Sequence, residues 1–248
     1  MKLNKKIGSL ILAGLLLVLV VFLFPSLESE PAPPAATPEP VREAYWIRAF
    51  GSQQKLLEGH LDVCLVGDSL TQYWVAEGRP IVDLQFRNLN VANLGIAADR
   101  TENILYRIQH LNFDSAKPDV FVLLAGTNNL AKTPPDSPED TAAGVKAILD
   151  AMEKKSPRSE VVLISILPNG NDPESELRKD IQKTNALISQ FANSRVHYID
   201  VHDRFLKEDG TWKSNLTVDK THLSVHGYDI LGIELIKAID AILREKRD

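Results

Sequence analysis

Five short apolar runs, each followed by a stretch with helical spacing, constrain this chain more than any other feature. The runs are 61–66 (LDVCLV), 91–94 (VANL), 120–124 (VFVLL), 161–166 (VVLISI) and 196–201 (VHYIDV). They are mostly β-branched and apolar, the mark of strands covered on both faces. Between them, 101–111 sets Ile104, Leu105 and Ile108 on one helical face. Ser137-Pro138-Glu139-Asp140 reads as an N-cap, a proline at the first helical position and acids in the first turn, opening a helix to about Lys154. Further helices are expected over 173–192 and 225–244, the latter with Leu231, Leu235, Ala238 and Ile242 aligned.

Strand–helix alternation implies a parallel sheet with helices on both faces. The expected fold is α/β, a flavodoxin-like three-layer sandwich with a five-stranded parallel sheet, spanning 45–248. In such sheets ligands bind beyond the carboxyl ends of the strands. The strand-to-helix turns are therefore where chemistry is sought.

The N-terminus follows other rules. Residues 7–24 carry no charge, and Lys2, Lys5 and Lys6 precede them. A helix there would be about 27 Å long, close to the thickness of a hydrocarbon core. The charge bias places residues 1–6 in the cytoplasm and the domain outside it. The reading is an uncleaved signal anchor at 7–24; the alternative is a cleaved signal peptide and secretion. Residues 25–44 are rich in Pro, Ala and Glu and read as an extended linker.

Composition narrows the function. The 248 residues carry a formal net charge of −5, so nothing points to nucleic acid. The one cysteine, Cys64, permits neither an internal disulfide nor a Cys-based zinc site, and it reads as a packed strand residue.

Four turns carry unusual polar sequence. The first strand ends in Gly67-Asp68-Ser69. A hydroxyl there leaves the sheet at a helix start, where backbone N–H groups converge; Ser69 is either an N-cap or a nucleophile. The second strand leads to Gly95, a turn glycine or a place where an amide can approach a ligand. The third ends in Gly126-Thr127-Asn128-Asn129, where either asparagine could form an Asx turn or donate to an oxyanion. Asp219 and His222 stand three apart before the last helix, so the carboxylate can fix the imidazole tautomer and leave the other nitrogen as a base. The remaining histidines lack that arrangement. The side chains of adjacent His202 and Asp203 are expected to diverge, and His226, inside the last helix, is the runner-up base.

The joint order of these motifs resembles the SGNH hydrolases, the GDSL esterase/lipase family, whose name lists Ser, Gly, Asn and His. Here these are Ser69, Gly95, Asn128 and His222, over most of 60–230. The Gly-Thr-Asn-Asn version, with Asn129 where many members have Asp, is similar to the branch containing platelet-activating-factor acetylhydrolase catalytic subunits. The resemblance implies Ser69 as nucleophile, His222 as base and then acid, and Asp219 as its orienting carboxylate. It implies an oxyanion hole from the amides of Ser69 and Gly95 and the Asn128 side chain, with no cofactor and no metal. It implies an esterase acting on a small acyl ester. Short loops and the expected location suggest short acyl groups, acetyl foremost, on a polar alcohol such as a carbohydrate. A lysophospholipase or thioesterase, an acyltransferase and a non-catalytic glycan-binding module are the alternatives.

Overall fold

The computed structural model describes residues 31–246. Its sheet has five parallel strands, β1 (Val63–Gly67), β2 (Val91–Asn93), β3 (Val120–Leu124), β4 (Glu160–Ile164) and β5 (Val196–Ile199), in the order β2-β1-β3-β4-β5. One lateral row shows the register: Cys64 opposes Ala92 and Phe121, Phe121 opposes Val161, and Val161 opposes Val196. This is the expected α/β sandwich.

The helices are α1 (Ala44–Gln53), α2 (Ser69–Gln72), α3 (Arg79–Gln85), α4 (Thr101–His110), α5 (Thr127–Ala131), α6 (Pro138–Lys155), α7 (Glu176–Ile188) and α8 (Val225–Glu245). Strand side chains alternate between faces. Cys64, Val66, Phe121, Leu123, Val161 and Leu163 pack under α4, α6 and α7. Val63, Leu65, Val120, Val122 and Val162 pack under α3 and α8. The central strands β1, β3 and β4 are therefore apolar at consecutive positions. Ser137 caps α6 as expected, accepting from the Asp140 amide at 3.0 Å, a contact worth about 1 kcal/mol.

The strand ends depart from the sequence reading for local reasons. Strand β4 stops at Ile164 because the Asn185 side chain of α7 takes both backbone groups of Ile166, at 2.7 and 2.9 Å. Strand β5 stops at Ile199, and the Val201 amide turns to the Ser165 hydroxyl at 3.0 Å. Helix α7 starts at Glu176, not 173, because Ser175 caps it.

A larger correction concerns the linker. The compact domain begins at Pro33 rather than 45. Ala35 is fully buried and its carbonyl accepts from Thr101 Oγ1 at 2.8 Å. The Glu39 amide donates to Glu102 O, and Glu39 O accepts from Asn103 Nδ2. The linker was expected to be extended, but Pro34–Ala36 form a 3₁₀ turn, and the first turn of α4 supplies partners that hold 33–39 against the domain. The expected membrane-spanning segment, 7–24, lies outside the described residues. Among the described residues no helix is long and apolar enough to cross a membrane.

Candidate active site

The strand order reverses between β1 and β3, both neighbours reaching the same rim, so the segments after these strands face one crevice. Asp68 links β1 to α2. Its Oδ1 accepts from the Leu70 amide at 2.9 Å, capping the helix whose first residue is Ser69. The sequence left Ser69 as cap or nucleophile; the cap is Asp68.

Ser69, 153 residues from His222 in sequence, places its Oγ 2.9 Å from His222 Nε2. His222 Nδ1 lies 2.7 Å from Asp219 Oδ2. A carboxylate accepts only, so Nδ1 carries the proton and Nε2 presents a lone pair to the hydroxyl. The three-residue spacing of Asp219 and His222 works differently from the expected helical turn. They stand before α8 in an Asx-type turn, where Asp219 Oδ1 accepts from the amides of Thr221 and His222 at 3.0 and 2.7 Å. Burial raises the Asp219 carboxyl, but the hydrogen bonds from His222 and the two amides outweigh it and hold the group below its ordinary value.

The two asparagines after β3 separate cleanly. Asn129 is fully buried: its Oδ1 accepts from the Thr101 amide, and its Nδ2 lies within 3.0 Å of Thr101 Oγ1 and Glu102 Oε2 and 2.9 Å from Asp136 Oδ2. Asn128, partly exposed, donates from Nδ2 to Asp99 O at 2.9 Å. An amide nitrogen has two protons, so one remains for a ligand. Gly126, at φ 117°, supplies the left-handed turn that starts α5 and aims this pair.

Gly95 is a glycine chiefly for packing. A Cβ there would come within 2.2 Å of the Gln72 amide of α2. Its own amide donates to Asn93 Oδ1 at 2.8 Å, so it reaches the site already partnered, a departure from the free donor expected.

Tyr73 stands beside the imidazole, ring centroids 5.1 Å apart, whereas Trp74 is core, packed on Phe86 and Tyr228. The loop after β4 forms one wall of the crevice and contributes Asn169. Its Oδ1 accepts from Thr221 Oγ1 at 2.9 Å and its Nδ2 donates to Thr127 Oγ1 at 3.2 Å, joining the histidine loop to the asparagine loop. Buried Arg178 fixes that wall through Asn169 O at 2.9 Å.

The other histidines lie apart from this cluster. His226 is exposed in the first turn of α8. His202 and Asp203 do not diverge as expected: Nδ1 and Oδ1 are 3.0 Å apart, because the 3₁₀ turn they share brings neighbours together. His60, Asp62 and Asp119 hold ligand atoms within 4.8 Å of one another, but they precede β1 and β3, at the opposite end of the strands. Cys64 is fully buried in β1, and burial pushes its thiol far up, as suits an inert core residue.

The family model for the GDSL-like lipase/acylhydrolase family matches residues 65–230, which contain every residue of this cluster. The chain belongs to that family. As a GDSL-family acylhydrolase it is an ester hydrolase. It is 30% identical over 204 residues to platelet-activating factor acetylhydrolase IB subunit alpha1 of Pongo abelii and of Homo sapiens, covering 79% of this chain and 84% of theirs. Among solved structures, a GDSL-like lipase from Bacteroides thetaiotaomicron superposes with TM-score 0.64 at 21% identity, covering 79% of this chain and 96% of the other. An acetyl xylan esterase from Geobacillus stearothermophilus superposes with TM-score 0.59 at 16% identity, covering 74% and 96%. At these identities the structural matches speak for the fold.

The hydrolase holds one group with no evident use in a triad. Asp68 is fully buried, and its Oδ2 has no partner. Burial, offset only in part by the Leu70 amide, pushes the carboxyl up to about 7. From pH about 4 to about 7 the unfolded chain ionises while the folded carboxyl keeps its proton. Folding therefore loses stability across that window, on the order of 4 kcal/mol, and no more above it. Asp68→Asn keeps the cap acceptor and removes the titration. Denaturant unfolding at pH 4 and pH 7 should show the variant gaining on wild type by that amount; parallel curves would refute the assignment.

Proposed function

We propose that this esterase cleaves short acyl esters, acetyl foremost, of a polar alcohol such as a carbohydrate, through an acyl-enzyme on Ser69. The single observation that carries the mechanism is the 2.9 Å and 2.7 Å relay from Ser69 Oγ through His222 to Asp219. A serine hydroxyl is a weak nucleophile until a neighbouring base takes its proton. His222 Nε2 takes it as Oγ attacks the ester carbonyl, and Asp219 stabilises the imidazolium. The carbonyl oxygen becomes an anion that accepts from the Ser69 amide and Asn128 Nδ2. Gly95 joins by exchanging Asn93 Oδ1 for that oxygen. His222 then protonates the leaving alcohol, and water repeats the cycle to free the acid.

The substrate class rests on the walls. The turns after β1 and β3 are only a few residues long, and Thr127, Asn169 and Thr221 present a hydrogen-bonded polar side. That suits a hydroxyl-rich alcohol. The acetylhydrolase names of the relatives support a small acyl group. Exposed Val218 and Val225, flanking the Asp219–His222 turn, favour a lysophospholipid as the second reading.

A panel of p-nitrophenyl esters from acetyl to dodecanoyl, with acetylated xylan and lysophospholipid, tests this. Turnover should fall as the acyl chain lengthens, and acetylated xylan should release acetate. Preference for long chains, or for lysophospholipid over xylan, would replace the reading. We also place the domain outside the cytoplasm on a membrane anchor at 7–24. Retention of the full chain in membranes after alkaline carbonate washing is expected; a shortened soluble chain would mean cleavage.

A further inference from the structure

Behind the crevice lies a buried charge that the mechanism above does not use. Arg107, on α4, is fully buried. Its Nε donates to Asp99 Oδ2 at 2.7 Å, and its Nη2 lies 2.7 Å from the same oxygen. Nη1 donates to Leu94 O at 2.6 Å and Gln53 Oε1 at 3.1 Å, and Nη2 donates to Gly67 O at 3.1 Å. Asp99 Oδ1 accepts from Trp46 Nε1 at 2.6 Å, while Asp99 O accepts from Asn128 Nδ2 at 2.9 Å.

One ion pair thus touches all three segments that reach the proposed oxyanion. Gly67 O lies two residues before Ser69. Asp99 O holds Asn128. Leu94 O belongs to the same planar peptide as the Gly95 N–H. A trans peptide points these two groups in opposite directions, so fixing the oxygen fixes the direction of the amide. A charge-assisted bond to the oxygen also polarises the unit and strengthens its N–H as a donor. Gln53 Nε2 adds a second donor to Leu94 O at 3.1 Å.

We infer that the Arg107–Asp99 pair, clamped by Trp46 and Gln53 of α1, is the positioning centre of the oxyanion site. This rests on the acyl-enzyme reading of Ser69. A buried pair kept for stability alone is commonly replaceable by apolar side chains. This one spends three N–H groups on Gly67 O, Leu94 O and Asp99, an arrangement that needs the guanidinium fork, which a lysine ammonium cannot reproduce. Arg107 touches no substrate. It acts through Gly95 and Asn128.

The test is kinetic, in the full chain with the best ester of the panel. Arg107→Lys keeps the charge and loses the fork. It should lower kcat roughly 100-fold with KM little changed, the effect of losing one oxyanion donor. In an Asn128→Ala background the same substitution should cost far less than it does alone, because both act on one oxyanion. Gln53→Met leaves the Arg107–Asp99 contact and removes the neutral donor to Leu94 O together with one acceptor of Arg107 Nη1. It decides the matter if Arg107→Lys does not fold, and should lower kcat roughly twofold to tenfold. Unchanged kcat in folded Arg107→Lys, or in Gln53→Met, would overturn the inference, as would effects of Arg107→Lys and Asn128→Ala that simply multiply. Those outcomes leave the wild-type reaction standing. A wild-type chain that neither turns over esters nor reacts with a fluorophosphonate would overturn the acyl-enzyme reading and this inference with it.

Discussion

Ser69→Ala should lose roughly 10⁶-fold in kcat, the scale of nucleophile loss in serine hydrolases, and keep its fold. The two halves of that expectation come from different atoms. The hydroxyl stands 2.9 Å from His222 Nε2 and is the proposed nucleophile. Helix α2 is capped by Asp68 through the Leu70 amide, and Gly67 O is held by Arg107, so the turn that presents residue 69 keeps its supports. Unfolding should therefore shift by no more than about 1 kcal/mol. The checks are turnover of the best ester, the mass of the fluorophosphonate adduct, and a thermal melt. The adduct should vanish in the variant with its melt intact. If activity survived in pure, folded Ser69→Ala, the hydroxyl would be a bystander and His222 would have to activate water directly. Simultaneous loss of the His222 side chain should add little, since the proposed nucleophile and base act as one unit.

The sheet was legible because burial on both faces forces unbroken apolar runs: 120–124 matches β3 to the residue. Where the reading overran, as at 165–166 and 200–201, a side chain from elsewhere (Asn185, Ser165) captured the backbone, and no local pattern records that. That Ser69, His222 and Asp219 come together was legible because a nucleophile–base reading asks for those residue types at the turns. Helix α1 went unread, since the work of Trp46 and Gln53 is done on Asp99 and Arg107, more than forty residues away. The same distance hid the division of labour between Asn128 and Asn129. Residue type permits both roles; only the placement of Glu102 and Asp136 assigns them.

That placement makes Asn129→Asp a damaging change despite its near-isosteric shape. The substitution keeps the shape and keeps an oxygen to accept the Thr101 amide at 2.9 Å. What changes is the atom facing Glu102 Oε2 at 3.0 Å and Asp136 Oδ2 at 2.9 Å, from a shared donor to an oxygen. A third carboxylate would enter a fully buried site with no cation to meet it. Lys132 is engaged with Asp136 Oδ1 at 2.6 Å, and Arg100 pairs with Glu102 Oε1 at 2.9 Å, each on the far oxygen. An uncompensated buried charge costs about 3–5 kcal/mol, which in a domain of this size lowers Tm by roughly 6–20 °C. The sign with pH follows from the same contacts. The folded variant resists ionising the new carboxyl while its unfolded chain ionises freely, so the penalty grows as pH rises and shrinks as it falls. Melts at pH 8 and pH 5 should show the deficit against wild type largest at pH 8. Asn129→Ala, which loses the hydrogen bonds but adds no charge, should show a deficit that is much the same at both. If Asn129→Asp melted with wild type at pH 8, the carboxylates around this position would have to be held apart by more than these distances allow. The aspartate common at this position in the family would then be interchangeable with Asn here, without any change in Glu102 or Asp136.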